Sequence, residues 1–95
     1  MTKGGYVYML ASRKNGTLYI GVTANIVKRM DEHKAHSTAG FTSKYHVDQL
    51  VWCEEHETIE SAIMREKQMK KWYRAWKIAL IEKENPGWRD LTDDF

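Results

Sequence analysis

The chain has one cysteine, Cys53, and one proline, Pro86, among 95 residues. A lone cysteine excludes an intrachain disulfide and a multi-cysteine zinc site, so nothing in the sequence calls for an oxidising compartment. The opening residues "MTKGG" lack the apolar segment of a signal peptide, and no apolar run approaches the ~18 residues that cross a bilayer. The expectation is a protein of the reducing cytoplasm with no membrane partner. An excess of one charge is also missing, since 15 Lys and Arg against 13 Asp and Glu leave a formal net charge of +2. That balance neither demands nor excludes nucleic acid, because what matters is whether the basic groups share a face. Repeats, linkers and low-complexity segments are absent too. The length fits one domain over 1–95, with a core over about 6–88 and an acidic tail over 89–95. So short a chain buries only roughly 60 to 65% of its unfolded surface, so each polar residue placed inside carries a noticeable cost.

What is present is a pattern of short elements. Residues 6–10, "YVYML", and 17–22, "TLYIGV", are aromatic and β-branched, and Asn15 with Gly16 can take the positive φ angles of a tight turn. A β-hairpin is expected. Asn25 is placed to cap a helix over Ile26–Lys34, since its side-chain oxygen can accept from a first-turn amide. The segment "HSTAGFTSKYH" reads as a loop, and "DQLVWCEE" as a third strand centred on Leu50, Val51 and Trp52. Thr58 can cap a longer helix from Ile59 to about Tyr73, with Glu60 near its positive end. A third helix covers about Ala75 to Lys83 and ends at Asn85, since Pro86 disfavours helical geometry in the residue before it. The tail reads as mobile unless Trp88 and Leu91 pin it. The order β-β-α-β-α-α predicts an α+β domain in two layers, a small three-stranded antiparallel sheet flanked by helices.

Several polar residues fall where a core should be. At 100° per residue, Ile26 and Met30 mark the apolar side of the first helix, and Arg29 and His33 flank it, one turn apart. A snorkelling arginine and a hydrogen-bonded core histidine account for this, and so does an anion held between two cationic groups. On the second helix Ile59, Ala62, Ile63 and Tyr73 project to one face with Glu66 in its middle. An unpaired buried carboxylate costs several kcal/mol, so Glu66 is paired, bound to metal, or lining a cleft. Lys70, four residues on, is the ordinary ion-pair partner. The segment "KQMKKWYRAWK", 67–77, interleaves basic residues with Trp72, Tyr73 and Trp76. That composition suits phosphates and stacked bases, with Lys70, Lys71 and Arg74 on backbone phosphates, and equally a solvated helix face with its aromatics, Trp76 above all, turned inward. Lys44, with Tyr45 and His46, lies before the third strand and is either a phosphate contact or part of a solvated loop. Cys53 and the methionines read as packing.

Together these residues resemble the GIY-YIG nuclease superfamily, and within it the small stand-alone domains. "YVY" at 6–8 stands for the first triplet and "YIG" at 19–21 matches the second as written. Tyr8, Tyr19, Arg29, His33 and Glu66 follow in the family's order, each on the expected element. The resemblance runs from about residue 6 to residue 88. The first triplet departs from the family in its first two residues, and Asn85 is the candidate for the asparagine that the family commonly supplies after the glutamate helix.

The resemblance implies a metal-dependent endonuclease acting on DNA, with RNA left open, and structure- or damage-directed rather than sequence-specific. It implies that Glu66 holds a single Mg²⁺ or Mn²⁺, which take oxygen ligands from one or two carboxylates, waters and phosphate. Arg29 would grip the scissile phosphate with its planar fork. A tyrosine is a general base only if its pKa falls, because phenolate at pH 7 otherwise costs roughly 4 kcal/mol. Arg29 or the ion can lower it, and Tyr8 is expected as the base with Tyr19 as its hydrogen-bonding or phosphate-positioning partner. His33 would orient a tyrosine or relay its proton, and Asn85 would orient substrate or a metal-bound water. Tyr6 stands as structure. Two rival expectations are a nucleic-acid-binding module without catalysis and a protein-interaction domain built on exposed tryptophans.

Overall fold

A computed structural model describes residues 4–35 and 40–95, the side chain of Phe41 apart. Strands β1 (Gly5–Ala11), β2 (Leu18–Thr23) and β3 (Gln49–His56) form an antiparallel sheet in the order β2-β1-β3. Helix α1 (Ile26–Lys34) follows the hairpin, a four-residue helix α2 (Phe41–Lys44) precedes β3, and α3 (Ile59–Lys70) and α4 (Arg74–Glu84) complete the fold. The element order and sheet are those expected. The short helix α2 is a correction, because the segment containing it was expected as loop; residues 36–39 of that segment lie outside the described residues. Helix α2 forms as Lys44 N–H donates to Gly40 O at 3.0 Å, with Gly40 at a φ of 110° that glycine adopts freely.

The layering also corrects the expectation. Strand β1 carries large residues at both parities, so neither of its faces can be left wet. Val7, Met9 and Ala11 pack with Ile20 and Trp52 against Ala62, Met69, Ile81 and Trp88, on the side of α3 and α4. Tyr8 and Leu10 pack with Leu50 and Val47 against Ile26 and Met30 of α1. Helices therefore cover both faces, giving three layers. Each fully buried Leu, Ile or Met side chain contributes about 1.5–3 kcal/mol relative to exposure.

Caps set the helix ends as expected. Asn25 Oδ1 accepts from Lys28 N at 3.0 Å, and Thr58 Oγ1 accepts from Ser61 N at 3.1 Å. Helix α3 stops at Lys70, short of Tyr73, because the Lys71 and Trp72 amides bond to Gln68 O and Met69 O in tighter i to i−3 geometry. Its buried edge is Ala62, Glu66 and Met69, spaced i, i+4, i+7; Ile63 and Tyr73, expected there, are 36% and 72% exposed. The hairpin loop runs over 12–17, with Asn15 in the left-handed region at φ 58°. Gly16 does not share that conformation. A Cβ there would lie 2.4 Å from Ser12 Oγ, so this glycine serves close packing. The tail is tied down: Leu91 N–H donates to Leu50 O at 2.7 Å, and Asp90 pairs with Lys34 while accepting from Leu50 N. Burial raises the Asp90 pKa, but hydrogen bonds from Lys34 and Thr92 outweigh it and hold the carboxyl below its ordinary range.

Candidate active site

Strand alternation puts Tyr8 and Tyr19 on the face of the sheet that α1 covers, and α1 delivers His33 and Arg29 from above it. The rings of Tyr8, Tyr19 and His33 form a triangle, with centroids 6.3 Å apart for the tyrosine pair and 5.8 and 5.9 Å from His33 to Tyr8 and Tyr19. Gly21 makes this possible. It pairs directly with Tyr8 across the sheet, and a Cβ at Gly21 would sit 2.4 Å from the Tyr8 hydroxyl and 2.9 Å from Cε2 of Tyr19. Any larger residue in that strand would push the two phenols away from the cluster.

A polar chain runs through the triangle. The Tyr8 hydroxyl lies 3.2 Å from His33 Nε2, and His33 Nδ1 lies 3.2 Å from the hydroxyl of buried Thr42. On the other side the charge of Arg29 acts on Tyr8. One consistent direction is Tyr8 O–H to Nε2 and Nδ1–H to Thr42 Oγ1. This tautomer is assigned from the network. Burial lowers the His33 pKa, and the Arg29 charge lowers it further, so the ring is neutral at pH 7. Thr42 was not singled out in the sequence; it is a threonine in a segment without hydrophobic period, and only the fold of α2 brings it to His33.

Arg29 alone does not make Tyr8 a base. Burial and the neighbouring Tyr19 raise the Tyr8 pKa to about 12, and Arg29, although it pulls the other way, does not overcome them. Phenolate formation on Tyr8 would cost on the order of 7 kcal/mol at pH 7. Tyr8 is fully buried whereas Tyr19 is partly exposed, so Tyr19 is the ring of the pair that meets solvent.

Arg29 holds Glu32 through a 3.1 Å contact and borders an open depression of about 280 Å³ lined also by Thr23, Asn25 and Lys28. Glu66 stands on α3. Its side chain is only 12% exposed, its charge acts on Tyr8, and it pairs with Lys70 at 3.1 Å as its spacing allowed. Among the described residues no three His, Cys, Asp or Glu side chains form a ready-made cation cage. A lone, mostly buried carboxylate fits an ion of the Mg²⁺ kind, which is commonly held by one or two carboxylates and completed by water and substrate phosphate.

Residues 4–79 match the GIY-YIG catalytic domain family. The chain belongs to the GIY-YIG family. It is 40% identical to a UPF0213 protein of Syntrophus aciditrophicus over 82 residues, covering 85% of this chain and 92% of that protein. A UPF0213 protein of Natronomonas pharaonis is 36% identical over 84 residues, covering 88% and 98%. A UPF0213 protein of Bacillus halodurans, solved by solution NMR, superposes with a TM-score of 0.57 at 26% identity over 95% of both chains. The GIY-YIG match gives the chain a nuclease-type fold; the names of these relatives give no activity.

Other residues expected from the GIY-YIG resemblance fall elsewhere. The Asn85 amide is consumed by the backbone: Nδ2 donates to Val51 O at 3.1 Å and to Arg89 O at 2.8 Å, and Oδ1 accepts from Arg89 N at 3.0 Å. Val51 sits at the register shift between β1 and β3, and Asn85 satisfies its carbonyl while closing the end of α4. Its role is structural. Arg74 donates to Asn15 O and Gly16 O at 2.9 and 2.6 Å, clamping α4 to the hairpin loop. Lys44 is exposed on α2 with its ammonium 5.4 Å from the Tyr45 ring centre, and Lys71 is exposed just beyond α3. Trp76, expected to turn inward, is 54% exposed. No helix among the described residues is long and apolar enough to cross a membrane.

Proposed function

We propose that this protein is a metal-dependent endonuclease that hydrolyses phosphodiester bonds in DNA, acting on branched, single-stranded or damaged substrates rather than on a specific duplex sequence. The observation that carries the proposal is the convergence of Tyr8, Tyr19 and His33 in one cluster of tilted rings tied by the Tyr8–His33 hydrogen bond, with the charges of Arg29 and Glu66 acting on Tyr8. Such a set binds anions and moves protons, and an inert core has no use for it.

Arg29 leaves Glu32 to grip two oxygens of the scissile phosphate, since its fork matches them and its charge persists at every working pH. Tyr19, the partly exposed ring, positions the phosphate or the attacking water. Tyr8, buried in the free protein, acts as a relay and never as free phenolate once the departure of Arg29 from Glu32 admits the water: it accepts the proton of the water while passing its own to Nε2 of neutral His33, with Thr42 holding Nδ1–H. The proton then resides on imidazolium and no 7 kcal/mol phenolate is formed. Glu66, released from Lys70, would hold one Mg²⁺ or Mn²⁺. When bound, the ion supplies charge stabilisation of the phosphate and of the leaving 3′ oxygen. A single acidic ligand among so many cations and phenols suits an ion that arrives with substrate. The protein works as a soluble cytoplasmic enzyme in this reading, and RNA remains a second substrate to test.

The test incubates purified protein with single-stranded, duplex and branched DNA, and an RNA counterpart, in Mg²⁺, Mn²⁺ or chelator. Cleavage is expected with metal and lost in chelator and in Glu66→Ala. Cleavage that survives Glu66→Ala would refute the mechanism, and its absence on every substrate would leave a nucleic-acid-binding module.

A further inference from the structure

Helix α4 buries Ile81, with Ile78 half-buried beside it, against the sheet, yet its opposite face is apolar as well. Trp76, Ala79, Leu80 and Lys83, together with Trp72, line a shallow groove of about 370 Å³ open to solvent. Tyr73 is 72% exposed beside it. Tyr73 and Trp76 meet edge to face with ring centres 5.0 Å apart, and Trp72 and Trp76 do the same at 6.3 Å. Two large aromatics standing half or more in water beside an apolar groove mark a surface that something covers.

The charges around it say what. Lys71, Lys77 and Lys83 border the aromatics and make no ion pair among the described residues, whereas the carboxylates of α4 are turned away, Glu82 onto Trp88 Nε1 at 2.8 Å and Glu84 onto Trp52 Nε1 at 3.0 Å. A second copy docking on the same face would set lysines against lysines. A partner that offers flat apolar rings on an anionic backbone satisfies both features. The platform begins just past the end of α3, with Tyr73 seven residues, or about two helical turns, beyond Glu66.

We propose that Tyr73 and Trp76 form a stacking platform for unpaired bases, flanked by lysines that hold the adjoining phosphates, and that it seats a single-stranded segment of substrate. The proposal rests on the nuclease reading for its biological use, though not for its binding chemistry. Stacking tolerates any base, so the platform selects unpaired structure over sequence.

The experiment measures fluorescence anisotropy of a labelled oligothymidylate of about 16 nucleotides in chelator, where no cleavage intervenes. Wild type, Trp76→Ala, Trp76→Phe and Tyr73→Ala are compared, with circular dichroism to check folding and sedimentation to count copies. Trp76→Ala is expected to weaken binding about tenfold or more, Trp76→Phe to keep most of it, and binding to fall steeply with salt. Unchanged affinity in folded Trp76→Ala and Tyr73→Ala would overturn the platform, whether or not the enzyme cleaves. So would a dimer that Trp76→Ala dissociates with no change in oligonucleotide affinity. If no substrate is cleaved but Trp76-dependent binding holds, the platform stands and the nuclease reading falls.

Discussion

The two faces of the sheet are built for different ends. On the side of α3 and α4, β1 presents Val7, Met9 and Ala11, and the layer beneath is almost wholly apolar. On the side of α1 the same strand presents Tyr6, Tyr8 and Leu10, and α1 answers with His33 and Arg29 beside Ile26 and Met30. Every described buried side-chain nitrogen and oxygen finds a partner, so the polar face is not a defect in packing. It is still an inefficient way to stabilise a small domain, because each hydrogen bond there nets only about 0.5–1.5 kcal/mol after desolvation. The comparison teaches that apolar packing is concentrated on one face, while the buried ring cluster of Tyr8 and His33 lies on the other.

Substitutions that separate the faces should therefore separate stability from activity. The largest effect is expected from Met9→Ala, which opens a cavity on the apolar face and should lower unfolding free energy by about 2–5 kcal/mol in urea titration. Residual cleavage per folded molecule should be unchanged. Arg29→Lys on the polar face keeps the charge and loses the fork, so cleavage should fall about 100-fold with little change in the urea midpoint. Equal behaviour of these two variants would dissolve the distinction between the faces.

A smaller effect comes from pH. The pKa of His33 is lowered in the folded state, so as pH falls the unfolded chain takes up its proton first, from about 6.5 downward. Stability should be flat above that value with respect to this group, and should decline as pH drops from about 6.5 through the lower folded pKa. His33→Gln should flatten that decline in urea titrations between pH 7 and pH 5. A decline of the same size in the variant would assign it to other groups.

Much of this arrangement was legible in the sequence where local chemistry decides it. Asn25 and Thr58 announced their helices, and of the residues whose spacing matched a family pattern the fold brings the rings of Tyr8, Tyr19 and His33 together. Other features depend on long-range packing and left no local trace. Thr42 reaches His33 only because α2 folds back, and Asn85 is claimed by a carbonyl that a register shift exposes at Val51. A sequence shows the arginine near Tyr8 but not the depth of burial, and against that burial Arg29 alone does not lower the Tyr8 pKa. Trp76 was expected inside because aromatics usually are, whereas α4 already buries Ile81 and has a second apolar side to spare.

The claim that the polar face is a working site is tested most directly by Tyr8→Phe, which deletes one oxygen and keeps the ring. Cleavage rate and thermal midpoint are measured on the same preparation. Loss of one hydrogen bond predicts a midpoint lower by about 4–8 °C at most, while removal of the proton relay predicts a rate lower by about 100-fold or more. A variant that melts within that range and cleaves at the wild-type rate would show that Tyr8 and His33 are packing and that the chemistry lies elsewhere.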